Sequence, residues 1–364
     1  MAISNELRIA VMPGDGIGDE IMAPCLELME LVRAKVGGFA LGYDWVEAGA
    51  GLYARTGEAL PDAAIRRASD ADAILLAAMG LPDVRYPDGR EIVPQVDIRE
   101  ILDLYAGVRP VRTFPGMRLP LADERAQHLD LVLIRESTEG LFWGRGKSFV
   151  DKDEAHDKMV ITRIGTERVC QYAFELAQRR KARGHEGRVT CVDKANVLGS
   201  MAFFREIFDG CAARFEGITA DHCYVDAMAL KLIRNPWDND VLVTENMFGD
   251  ILSDAGAALM GGMGLAPSAD IGDKHAVFQP CHGTAPDIMG TGKANPTAMI
   301  LSAAMMLDWL GERHGSEKLV EAGEMLEQAV RTAFAGGDLV PYEMGGSAGL
   351  GDIAGRVKEA LNAA

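Results

Sequence analysis

The apolar run Leu7–Met12 breaks into Gly14-Asp15-Gly16-Ile17-Gly18 and then into Asp19–Val36, a long stretch of helical character. A strand that turns through glycines straight into a helix needs a second layer on which that helix can pack. The same alternation continues along the chain. Strands are predicted at Ala40–Val46, Ala73–Ala78, Leu129–Ile134, Arg188–Val192, Ile218–Val225 and Val241–Thr244. Helices are predicted at Pro61–Ala68, where proline suits a first turn, and at Gly165–Arg183, Met201–Phe208 and Phe248–Met260. The last quarter is helical at Thr297–Leu310, Ser316–Ala333 and Gly351–Leu361. This pattern predicts an α/β protein. No repeat, low-complexity tract or flexible linker interrupts it, so two domains in 364 residues would have to share a sheet or helices.

The balance of charge excludes some partners. With 37 Lys+Arg against 54 Asp+Glu the formal net charge is −17, the wrong sign for a phosphate backbone, so nucleic acid is not an expected partner. Local arginines can still hold a small anion. No apolar stretch approaches the roughly 18 residues that suggest a membrane span. The start, Met1–Ile9, lacks a basic stretch followed by an apolar core, so no signal peptide is expected. Cys25, Cys170, Cys191, Cys211, Cys223 and Cys281 form no CxxC pair, and isolated thiols suit a reducing, cytoplasmic setting.

The glycine-rich turn is not a dinucleotide fingerprint. That motif needs G-x-G-x-x-G, whereas these glycines fall at 14, 16 and 18, and Asp15 would put a carboxylate where a pyrophosphate should sit. Chemistry is better sought elsewhere. Asp250 and Asp254, four apart in Asn246–Asp254, share one face of a helix. Either water solvates that face, or a hard divalent cation sits between the carboxylates. Asp226 ends an apolar run and is either a helix cap or a further ligand. Lys194 follows Val189–Val192 and is either an exposed lysine or a base of lowered pKa. Arg99, Arg109 and Arg135 are surface ion pairs if taken singly, and a di- or tricarboxylate site if they converge. His282-Gly283-Thr284-Ala285-Pro286-Asp287-Ile288, continuing to Gly290, Gly292, Asn295 and Pro296, is either a plain structural loop or a shaped one whose backbone can approach a ligand. Asp287 there can accept from ribose hydroxyls and would repel a 2′-phosphate.

In order, "MPGDGIGDEI", "LDLYAGVRPVR", "RESTEGLFWG", "DKANVL", "VDAMAL", "TENMFGDILSDAGAAL" and "HGTAPDI…ANP" resemble the β-decarboxylating dehydrogenases, the isopropylmalate, isocitrate, homoisocitrate and tartrate/malate enzymes. The likeness spans nearly the whole chain. It implies a two-domain isopropylmalate-dehydrogenase-like α/β fold that is not a Rossmann fold. Residues 1–109 and 261–364 would form the first domain, with the cofactor loops. Residues 110–260 would form the second, with the metal carboxylates, the dimer interface and an arm near 144–160. The resemblance implies a homodimer with shared sites. Lys194 and Asp226 would come from one subunit, and Asp250 and Asp254 from the other. It also implies NAD and Mg²⁺ or Mn²⁺ as cofactors. Asp226, Asp250 and Asp254 would be metal ligands, and Lys194 and Asp226 catalytic residues. Arg99, Arg109 and Arg135 would bind substrate, with Gln95 and Val96 facing its variable group. His282, Gly283, Thr284, Ala285, Pro286, Asp287, Ile288 and Asn295 would bind cofactor. Asp287, Ile288 and Ala294 match the NAD-type pattern.

Three departures stand out. Phe142 replaces the family's usual tyrosine, the acid that protonates C3. Gln279 replaces a usual glutamate. Val93, Gln95 and Val96 match neither the leucine pair of isopropylmalate enzymes nor the serine and asparagine of isocitrate enzymes. The expected reaction is therefore oxidation and β-decarboxylation of a 3-substituted malate. The alternatives are a tartrate- or malate-type dehydrogenase without obligatory decarboxylation, and a non-catalytic ligand-binding subunit.

Overall fold

The structure, a computed structural model, describes residues 6–364; the first five residues, part of the start in which no signal peptide is expected and of the expected first domain, lie outside it. Twelve strands occur among these residues: β1 (Leu7–Gly14), β2 (Leu41–Trp45), β3 (Ala73–Ala78), β4 (Ala106–Arg112), β5 (Asp130–Glu136), β6 (Phe149–Val150), β7 (Ala155–His156), β8 (Arg188–Asp193), β9 (Thr219–Tyr224), β10 (Val241–Thr244), β11 (Pro267–Ile271) and β12 (Ala276–Pro280). The helices are α1 (Gly18–Val36), α2 (Ala50–Thr56), α3 (Asp62–Ser69), α4 (Pro94–Ile101), α5 (Arg163–Ala182), α6 (Gly199–Ala212), α7 (Val225–Arg234), α8 (Asn246–Leu259), α9 (Thr297–His314), α10 (Glu317–Phe334) and α11 (Leu350–Ala363).

Ten strands form one sheet in the order β2-β1-β3-β12-β11-β4-β5-β10-β8-β9. The ends of the chain supply one side of it and the middle of the chain the other. The outer pairs are parallel, while β11 and β4 run antiparallel to their neighbours at the centre. Side chains alternate across this sheet as the pleat requires. Ile9 and Val11 of β1 pack in the cluster that holds α1, α9 and α10, whereas Ala10 and Met12 pack with α3 and α4 on the opposite face. Where both faces are covered, strands such as β3 and β10 read as apolar runs.

The short pair β6–β7, helices α2, α4 and α7, and the central strands β4, β11 and β12 add to the elements expected from the sequence. The strands carry proline or charge, which ordinarily argue against a central strand. Here Arg109 of β4 and Asp270 of β11 neutralise each other across neighbouring strands, at 3.1 Å. Asp15 is likewise structural: its carboxylate accepts from Ala50 N and Gly51 N at 2.7 Å each and from Gly80 N at 2.8 Å. It starts α2, its carboxylate engaged by protein backbone. All six cysteines are free. No helix among the described residues is long and apolar enough to cross a membrane.

Candidate active site

The middle of β4 and the end of β5 bring Arg109 and Arg135 to one cavity of about 170 Å³, and Arg99 reaches it from α4. Asp250 and Asp254 of α8 line the same cavity, with Gln95, Ser253, Ser268, Gln279, Cys281, His282 and Gly283. The three arginines, three sequence segments apart, therefore converge. Gly249 makes this possible, since a Cβ there would lie 2.7 Å from the Arg135 Cβ.

The arginines are not free charges. Arg99 Nε and Arg109 Nη2 donate to the two oxygens of Asp270, at 2.9 and 3.1 Å, and Gln279 Nε2 donates to it at 2.8 Å. Burial alone would push this fully buried carboxyl up, but Arg109 and Arg99 outweigh that and hold it at about 2. Arg135 donates through Nε and Nη2 to Asn246 Oδ1, at 2.9 and 2.7 Å, and pairs with Asp250. Burial, then the nearby Arg99, lower Arg135 to about 10, which leaves it charged at neutral pH.

Asp250 and Asp254 are the feature that invites a cation. Burial, then the charge of Asp250, raises the Asp254 carboxyl above its ordinary value. Two carboxylates a helical turn apart, one of them balanced only by an arginine, suit a hard divalent ion. Asp226 does not complete the set within one chain. Among the described residues no three His, Cys, Asp or Glu side chains gather with ligand spacing. Asp226 lies in the first turn of α7 and makes no cap; its Oδ1 accepts from Lys194 Nζ at 2.5 Å, and this partner lowers its pKa. Lys194 and Asp226 form a second group outside the cavity. Asp193, fully buried and held by Arg205 at 2.8 Å, fixes the backbone just after Lys194 by accepting from Ala195 N at 2.8 Å.

The loop from His282 joins the cavity to the strand–helix turn of α1. Ile17 N donates to Thr284 O at 2.9 Å, and Thr284 Oγ1 to Gly80 O at 2.7 Å. Gly16, at φ 60°, must be glycine, because a Cβ would fall 2.1 Å from Thr284 O. Ala285 also takes a positive φ, 37°. Asp287 is exposed on this loop, with Gly283 and Pro286; Ile288 is half-buried. Asn295 holds the loop's far end, donating to Glu343 Oε1 at 2.7 Å and accepting from Thr297 N at 3.0 Å. The buried His282 Nε2 has no partner, an orphan that a ligand in the cavity can satisfy. Val96 is half-buried but does not line the cavity, whereas Gln95 does. Phe142 is 42% exposed, with its ring 5.3 Å from the Arg135 guanidinium. Asp270 is the residue that sequence reasoning missed: in Pro267–Ile271 nothing marks it as the counter-ion of two arginines more than a hundred residues away.

A family model described as "Isocitrate/isopropylmalate dehydrogenase" matches residues 8–351. A 3-isopropylmalate/3-methylmalate dehydrogenase of Methanocaldococcus jannaschii is 41% identical over 354 residues, covering 97% of this chain and 99% of that one. A homoisocitrate dehydrogenase of the same organism is 39% identical over 353 residues, covering 93% and 96%. Among solved structures, an isocitrate dehydrogenase from Methylococcus capsulatus matches with a TM-score of 0.83 and 34% identity, over 98% of this chain and 99% of that one.

Proposed function

The chain belongs to the isocitrate/isopropylmalate dehydrogenase family, and on that premise we propose that it uses NAD and Mg²⁺ or Mn²⁺ to oxidise and β-decarboxylate a 3-substituted malate. It is an oxidoreductase acting on a CH–OH group. The observation that carries the reading is the convergence of Arg99, Arg109 and Arg135 with Asp250 and Asp254 on one cavity.

The arginines bind and orient the substrate's carboxylates, which fixes C2 within the cavity. A divalent ion held by Asp250 and Asp254, with Asp226 from a second subunit, would supply Lewis-acid stabilisation of oxygen charge. Lys194 takes the C2 hydroxyl proton as the C2 hydride is transferred. NAD, held by His282, Gly283, Thr284, Ala285, Pro286, Asp287, Ile288 and Asn295, would supply the hydride acceptor. The carboxylate β to the new ketone then leaves as carbon dioxide, and its bonding electron pair passes to C3. Phe142 has no proton to give, so C3 is protonated by Lys194 or by solvent.

The same reading makes the protein a homodimer. Leu230 and Ile233 on α7 and Ile251 on α8 are 55–63% exposed, an apolar surface beside the Lys194–Asp226 pair that suits a second copy. The strand pair β6–β7 carries exposed Phe149 and Val150 within the arm near 144–160. We assign residues 1–109 and 261–364 to one domain and 110–260 to the other, and place the protein in the cytoplasm.

NADH formation with isopropylmalate, isocitrate, homoisocitrate, tartrate and malate, with metal and with chelator, tests this function. Metal-dependent turnover of at least one of them is expected, and none with any would refute it. Cofactor choice gives a second expectation. Asp287 would meet the 2′-phosphate of NADP with a like charge. NAD should therefore exceed NADP in kcat/KM by roughly tenfold or more, about 1.4 kcal/mol. Equal efficiencies would remove Asp287 from the ribose site.

A further inference from the structure

Two cavities share the centre of the sheet as a wall. Along β4 and β11 the pleat sends Arg109 and its partner Asp270 to the active-site face, and Val108, Pro110, Ala269 and Ile271 to the other. On that other face lies a second cavity of about 110 Å³. It separates Tyr172, Arg179 and Arg183 of α5 from Asp308, Trp309 and Glu312 of α9. In the proposed division α5 belongs to residues 110–260 and α9 to residues 261–364. Both cavities therefore lie between the same two bodies, on opposite faces of the sheet that joins them.

The ion pairs across the two cavities differ. At the edge of the active site, Arg145 Nη2 donates to Asp97 Oδ1. Asp97 sits on α4 between Gln95 and Arg99, which both line the active-site cavity. Arg145 ends the 3-10 turn Leu141–Gly144, which carries Phe142. That turn is seated on the start of α8: Asn246 Nδ2 donates to Glu139 O at 3.0 Å, and a Cβ on Gly140 would lie 2.4 Å from Glu245 Oε2. One ion pair thus ties the Arg99 wall to the wall of Phe142, Arg135 and Asp250. Behind the sheet the charges face each other without meeting. Arg179 Nε stands 3.5 Å from Glu312 Oε1, and Arg183 Nη2 stands 3.7 Å from both Glu312 Oε1 and Asp308 Oδ1. These exceed an ordinary N–H···O length, and Asp308 Oδ1 is buried with no hydrogen-bond partner. Arg112–Glu327 at 3.0 Å and Arg168–Asp103 at 2.7 Å are made on or beside β4, where the chain passes from one body to the other and a rotation moves atoms least.

Resting on that division and on the dehydrogenase reading, we propose that the two sets of ion pairs are alternatives: Asp97–Arg145 holds the active site closed, and Arg179 and Arg183 engage Asp308 and Glu312 when it opens. Widening one cavity narrows the other, because the sheet lies between them. Arg145 and Glu312 are then positioning residues of opposite effect, and both act through the position of α4 rather than on substrate.

The test measures hydrogen exchange of the α4 amides in the substrate-free protein, and KM and kcat for its best hydroxy-acid substrate. Melting curves check that each variant is folded. Arg145→Met should speed exchange in α4 and raise KM by roughly two- to fivefold, the scale of a half-exposed ion pair, without lowering kcat. Glu312→Gln should do the reverse, with slower exchange and a lower KM. Exchanging the charges, Asp97→Arg with Arg145→Asp, should restore both readouts. Changes of the same sign in the two single variants, or none in either, would overturn the inference, since loss of a merely structural pair gives no such opposition. A charge exchange that stays as open as Arg145→Met would overturn it too. If the unaltered protein forms no NADH with any hydroxy acid, the dehydrogenase reading falls, and the exchange rates alone decide whether the two sets are alternatives.

Discussion

Asp270→Ala is expected to lower unfolding stability by about 3–5 kcal/mol, the range for removing one partner of a buried ion pair. The carboxylate has no exposure, and Arg99, Arg109 and Gln279 all aim donors at it. Alanine would leave two guanidinium groups in the cavity wall without their counter-charge. The pH dependence follows from the sign of the shift. Asp270 is held down from an ordinary 3.8 to about 2, so its contribution is present above that ordinary value and is lost as pH falls towards 2. In urea unfolding, the gap between the two proteins should be full at neutral pH and should close over this acid window. Asp270→Asn, which keeps an acceptor but no charge, should fall between them. An alanine variant as stable as the unaltered protein at neutral pH would show that the arginines are balanced elsewhere.

Lys194→Met is expected to lower kcat by about 10²–10⁴, the usual scale of general acid–base catalysis. Among the described residues its ion-pair partner is Asp226, whose side chain is 68% exposed, so the fold should survive. The arginines proposed to bind the substrate's carboxylates lie outside this pair, so KM should move much less than kcat. A folded variant with unchanged kcat would assign the proton transfer to another group.

The elements legible in the sequence were those whose pattern matches their environment. Val241–Thr244 and Ala73–Ala78 are apolar runs buried on both faces, and the structure makes them strands over those same residues. Long helices such as Arg163–Ala182 and Thr297–His314 were found within a few residues. The central strands β4, β11 and β12 were hidden because their sequences look wrong for the middle of a sheet. Arg109 and Pro110 in β4, and Asp270 in β11, become acceptable only once the strands stand side by side. Helix α4 carried a usable signal, Pro94 in its first turn. The site divides in the same way. Local spacing marked Asp250 and Asp254, and motif likeness marked the arginines. Asp270 needed three dimensions, because its partners come from α4 and β4. The orientations of Gln95 and Gln279, set by Met79 O and Asp270, were equally out of reach.

In the proposed dimer one subunit contributes the arginine cavity with Asp250 and Asp254, and the other contributes Lys194 and Asp226. Subunit complementation tests it most directly. Lys194→Met and Asp250→Asn should each be nearly inactive alone. Unfolded together and refolded, or co-expressed, they should form mixed dimers in which one of the two sites regains every group. Random pairing makes half the dimers mixed, each with one intact site, so about a quarter of the unaltered activity should return. Metal-dependent NADH formation near that level is the predicted result. Mixed dimers, verified by differential tags, that remain as inactive as their parents would contradict the shared site.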